Sequence, residues 1–121
     1  MSAKVLIVDD EQDFLDIMAE RLQALGMDVS TATSAQGAIE KVKTEAYDAV
    51  IMDFLMPGMD GFKAVKLLKE TRPHLAIILL TANVREEERI AAKKLGAMEV
   101  VEKPADLNML TQLIESAEAR K

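Results

Sequence analysis

Five short apolar runs alternate with five helix-period segments along the chain, and this alternation limits the possible folds more than any other feature. Lys4 to Val8 is an apolar, β-branched run. From Asp10 the period changes, with Phe14, Met18, Leu22 and Leu25 recurring every three or four residues until Gly26 stops the helix. Met27 to Ala32 is the most polar of the expected strands. Ser34 then caps a helix that carries Ala38, Ile39 and Val42 inward to about Glu45. Asp48 to Asp53 predicts the third strand, and the loop Phe54 to Gly61, with one proline and two glycines, leads to a helix from about Phe62 to Glu70. That helix turns Val65, Leu67 and Leu68 inward and is broken at Arg72-Pro73. Leu75 to Thr81 predicts the fourth strand. The charged stretch Arg85 to Arg89 opens a helix through Ile90, Ala91, Lys94 and Leu95, which Gly96 closes. Met98 to Glu102 predicts a short fifth strand, and Asp106 caps a last helix through Leu107, Leu110, Leu113 and Ile114.

Strands alternating with helices through connections of a few residues give a parallel sheet covered on both faces, an α/β doubly wound fold in one domain over residues 1–121. The first, third and fourth strands are continuous apolar runs, as doubly buried strands must be. The second and fifth carry polar residues and read as edges. This selects the order 2-1-3-4-5, whose switch point lies between strands 1 and 3. A ligand is therefore expected where Asp9, Asp10 and Asp53 leave the sheet.

Composition narrows the function classes. The chain has 121 residues, half of them hydrophobic, which is enough to bury a core without disulfides, and it has no cysteine. A formal charge of −6 argues against a nucleic-acid surface, which needs a basic patch. No apolar run is long enough for a signal-peptide core or a membrane span, so the cytoplasm is the expected compartment. The one histidine, His74, follows Pro73 in an expected loop with no partner in the pattern, and we assign it no catalytic part.

The strand ends collect Asp9 and Asp10, Asp53, Thr81 and Lys103. Three converging carboxylates repel one another unless some are protonated or a cation is bound, and oxygen ligands with open positions suit Mg²⁺. Mg²⁺ held by one or two carboxylates usually works on phosphate. Thr81 and Lys103 supply a hydroxyl and an ammonium for the remaining phosphoryl oxygens, leaving Asp53 as an in-line nucleophile that becomes an acyl phosphate.

Val5-Leu-Ile-Val-Asp-Asp-Glu11, Asp53 followed by Met56-Pro-Gly-Met-Asp-Gly61, Leu80-Thr-Ala82 and Glu102-Lys-Pro104 together resemble the receiver domain of two-component response regulators, including its single-domain, chemotaxis-type members. The resemblance spans essentially the whole chain and implies a flavodoxin-like (βα)5 fold. It implies that Asp53 accepts phosphate from a histidine kinase or histidine phosphotransfer protein and so switches binding of an output partner. It further implies that Asp10, Asp53 and the Leu55 carbonyl bind Mg²⁺ with Asp9 reached through water, that Thr81 moves onto the phosphoryl group and Lys103 pairs with it, and that Pro104 holds the Lys103 peptide, often in cis. The protein would be a monomer or a weak, phosphorylation-dependent dimer. It would be no enzyme beyond its own phosphorylation and dephosphorylation.

Two positions depart from the family. Val100 stands where relatives usually carry Tyr or Phe, a ring that turns inward when the threonine moves, and Ala105 stands where Phe often follows the Lys-Pro pair. The expectation is therefore that phosphorylation is relayed by backbone and loop rearrangement over residues 81–89, not by a ring rotamer.

Ordinary roles compete with these assignments. Asp10 alone would be read as a helix cap, Lys103 as a solvated lysine, and Thr81 as a strand-terminal hydroxyl bonded to backbone. Asp60 and Gly61 read as turn residues, with Asp60 able to cap the following helix, and the eight methionines as core filler. Three other functions compete with the phosphoacceptor reading. An Mg²⁺-dependent phosphatase or mutase would place its nucleophile in an Asp-x-Asp pair after strand 1. A flavin module would want a Ser/Thr-rich phosphate loop where this chain has acids. A non-phosphorylated pseudo-receiver would not need the full set of five.

Overall fold

The computed structural model describes residues 3–120. Its order is β1 (Lys4–Val8), α1 (Gln12–Ala24), β2 (Asp28–Ala32), α2 (Ala35–Thr44), β3 (Ala49–Asp53), β4 (Leu55–Met56), β5 (Met59–Asp60), α3 (Gly61–Thr71), β6 (Ala76–Thr81), α4 (Glu86–Lys94), β7 (Glu99–Glu102) and α5 (Leu107–Ala119). The main sheet is parallel and runs β2-β1-β3-β6-β7, the order 2-1-3-4-5 expected from the pattern. Among the described residues no helix is long and apolar enough to cross a membrane.

Alternation along the central strands divides the core into two layers. Leu6, Val8, Val50, Met52, Ile77 and Leu79 face α2, α3 and α4, while Val5, Ile7, Ala49, Ile51, Ile78 and Leu80 face α1 and α5. Both faces are thereby sealed, and the polar ends of the strands are left as the place for chemistry. The edge strands are wetter, with Asp28 of β2 and Glu102 of β7 exposed.

Three helices carry the expected side-chain caps. Ser34, Asp60 and Asp106 each accept a hydrogen bond from a backbone N–H of the first turn, of Gly37, Phe62 and Asn108 respectively. α1 has no such cap: its N-cap is Glu11, not Asp10.

Packing corrects the helical pattern in places. Leu25 follows the last turn of α1 and is exposed, because Gly26 (φ 91°) reverses the chain just beyond it; Leu15 is fully buried, and Phe14 only half-buried. In α3, Leu67 is half-buried while Ala64, Val65 and Leu68 are buried. Ala92 alone is buried in α4, and Ile90 and Leu95 are exposed.

The expected loop after β3 holds structure of its own. β4 and β5 form a two-residue antiparallel hairpin pairing Leu55 with Asp60 and Met56 with Met59. Pro57-Gly58, with Gly58 at φ 91°, supplies the turn.

Candidate functional site

β1 and β3 end side by side at the carboxyl edge of the sheet and deliver Asp9 and Asp53 to one crevice. The Asp9 N–H continues the ladder by donating to the Ala32 carbonyl at 3.1 Å, which fixes that residue as it leaves β1. Its side chain is fully buried, and Oδ1 accepts from the Glu11 N–H at 2.9 Å, closing the turn into α1. Asp10 stands exposed in that turn. Asp53 Oδ1 accepts from the Leu55 N–H at 3.0 Å, so the start of the β4–β5 hairpin orients the carboxylate.

Lys103 joins the acids. Its Nζ donates to Asp9 Oδ2 at 3.0 Å and to Asp53 Oδ2 at 3.1 Å, bridging two strand ends that are 44 residues apart in the chain. Its own backbone is tied in as well, the N–H donating to the Thr81 carbonyl at 2.7 Å, and the Lys103–Pro104 bond is cis. Partial burial works to lower the Lys103 pKa, but the hydrogen bonds to Asp9 and Asp53, with their charges, hold it above the ordinary lysine value.

Thr81 is buried at the end of β6. Its hydroxyl faces its own loop, donating to the Asn83 carbonyl at 3.5 Å and accepting from the Asn83 N–H at 3.4 Å. This is the local backbone bonding that competes with a role at the acids.

One carboxylate oxygen from each of Asp9, Asp10 and Asp53 lies within 4.8 Å of the others. The donors are all hard oxygens, and the chain has no cysteine to compete, so the set fits a hard divalent cation rather than zinc or copper. Such an ion would balance a cluster in which one ammonium faces three acids.

Other groups at the site were not anticipated. Phe14, read as a core position, lies under the Lys103 ammonium, 4.7 Å from Nζ to the ring centroid. Its place on the first turn of α1, four residues after Asp10, is the signal that could have found it. The Glu11 and Leu55 N–H donors leave no trace in residue type. His74 is exposed after α3, away from these strand ends.

The family model for the response regulator receiver domain matches residues 5–115. The chain is 33% identical over 104 residues to the alkaline phosphatase synthesis transcriptional regulatory protein PhoP of Bacillus subtilis, covering 86% of this chain and 43% of that one. Other curated relatives are covered over as little as 7% of their length. Among solved structures, the receiver domain of Francisella response regulator 1452 superposes with a TM-score of 0.90 at 25% identity, covering 98% of each chain. The chemotaxis protein CheY4 of Vibrio cholerae gives 0.88 at 29% identity, covering 97% of this chain and 99% of that one.

Proposed function

The chain belongs to the response regulator receiver family, and from that membership we propose that it is a phosphoacceptor switch of a two-component system, modified on Asp53. The observation that carries this reading is the Lys103 ammonium bridging Asp9 and Asp53 beside the exposed Asp10. The donor is a histidine kinase or a histidine phosphotransfer protein. An Asp53 oxygen attacks phosphorus in line, the P–N bond to the donor imidazole breaks with its electron pair going to nitrogen, and an acyl phosphate forms. Lys103 pairs with the phosphoryl oxygens, and Thr81 leaves Asn83 to donate to one of them. Asp10, Asp53 and the Leu55 carbonyl would hold Mg²⁺, with Asp9 reached through water, and when bound such an ion neutralises phosphoryl charge. Pro104 holds the Lys103 peptide. Beyond its own phosphorylation and dephosphorylation the protein turns over no substrate, it works in the cytoplasm, and its output is a change in partner binding.

The test is intact mass after incubation with acetyl phosphate and Mg²⁺. A labile phosphoryl adduct is expected that EDTA prevents and Asp53→Asn abolishes. An adduct that persists in Asp53→Asn, or none with any acyl phosphate or kinase, would exclude this reading.

A further inference from the structure

The relay of the phosphorylation signal has to pass without a ring at position 100, where Val100 is buried. A ring does lie close by. Phe54, the residue after Asp53, lines a narrow recess of about 10 Å³ together with Thr81, Val84, Ala92 and Val100, room for about one water.

The surroundings of Phe54 are asymmetric. Its backbone is anchored, the N–H donating to the Leu80 carbonyl at 2.8 Å. One side of the ring is hard against α3: a Cβ built on Gly61 would lie 2.5 Å from Cδ1 and 2.7 Å from Cε1, so only glycine lets the ring pack there. The Phe62 ring meets it edge-on, centroids 5.0 Å apart at 78°. Phe54 also lines the recess, whose other walls are Thr81, the half-buried Val84 of the loop before α4, Arg85, Glu88, Ala92 and Val100.

We propose that Phe54 is the aromatic reporter of this switch: when Thr81 leaves Asn83 for the phosphoryl group, the Phe54 ring tilts off Phe62 toward Thr81, Val84 and Val100, into the room that the departing threonine side chain adds to the recess. This rests on the phosphoacceptor reading and names the regulation of that same site. The short side chain of Val100 is then what makes room. The movement links Asp53 to the start of α3 and to the loop before α4, two elements that Phe54 touches at once.

The experiment uses the full chain with 4-fluorophenylalanine at its three phenylalanines, Phe14, Phe54 and Phe62. Their fluorine resonances are assigned by single Phe→Leu variants. Loading with acetyl phosphate and Mg²⁺ is followed by intact mass. Phe14, under Lys103, reports that the site is filled. Phe54 and Phe62 are expected to shift together in proportion to adduct. In Val100→Phe, which fills the recess, the adduct is expected with the Phe54 and Phe62 shifts lost. Full adduct with both resonances unmoved in the parent protein, or with both shifts retained in Val100→Phe, overturns the proposal and leaves the phosphoacceptor reading standing. No adduct overturns both. Should Val100→Phe not fold, Phe54→Leu gives the same decision: the Phe62 resonance is expected to stop responding to loading, and a response that persists overturns the role of the ring.

Discussion

At the scale of single residues, the site is an imbalance of charge, and Asp10 is the member that adds repulsion without a compensating bond. Asp9 and Asp53 each accept from Lys103 and from a backbone N–H, whereas Asp10 is exposed beside them. Two unit charges at the 4.8 Å that bounds this cluster repel by about 1 kcal/mol in water, less once salt screens them. Asp10→Asn is therefore expected to stabilise the cation-free protein by about 0.5–1 kcal/mol in low-salt urea unfolding with EDTA. It should also lose most of the stabilisation that added Mg²⁺ gives the parent, since binding to the native state alone raises stability. A variant less stable than the parent in EDTA would show that Asp10 makes a favourable contact instead. The acids and Lys103 were legible in the sequence because a carboxylate or an ammonium at the end of a buried strand has few uses. Phe14 and Phe54 were not, because a phenylalanine in an apolar pattern reads as core until a structure shows which ring faces an ammonium and which a recess.

At the scale of elements, the stretch between β3 and α3 holds the site to the fold. Gly61 opens α3 with its Cα against Phe54, and an added Cβ would meet the Phe54 carbonyl oxygen at 2.6 Å as well as the ring. Gly61→Ala is expected to cost about 1–3 kcal/mol by overpacking, read as a lower urea midpoint. Phe54→Ala in the same chain should not restore it, because the carbonyl remains when the ring is gone. Full rescue by that second substitution would place the strain in the ring alone. The sheet and its helices were legible from periodicity, since doubly buried strands must be continuous apolar runs and Ser34, Asp60 and Asp106 are good caps. The β4–β5 hairpin was not, since two-residue strands show no period. Which side of α4 faces the core was not legible either: the buried residue there is the small Ala92, while the larger apolar Ile90 and Leu95 reach solvent.

At the scale of the whole molecule, the acid site and the Lys4–Glu45 contact occupy opposite ends of the sheet. Lys4 opens β1, and its ammonium bonds Glu45 Oε1 at 2.8 Å, while the Tyr47 hydroxyl donates to Glu45 Oε2 at 3.2 Å. The bond from Lys4, then that from Tyr47, holds the Glu45 carboxyl below the ordinary glutamate range. A carboxyl whose folded pKa is depressed contributes stability that is fully present above its unfolded pKa and disappears as pH falls through the folded value. Glu45→Gln should therefore be less stable than the parent at neutral pH, the gap closing as the solution is acidified through the glutamate range, followed by urea unfolding across a pH series. A gap that widens in acid would reverse the assignment. Lys4 and Asp9 are separated by five residues of extended chain, about 17 Å, and share no partner. Substitutions that far apart add. The double variant Asp10→Asn/Glu45→Gln is thus expected to match the sum of the single effects to within about 0.5 kcal/mol at neutral pH in EDTA. A larger discrepancy would mean that β1 carries strain from one end of the sheet to the other, and the acid site could then no longer be treated as electrostatically separate from the Lys4–Glu45 contact.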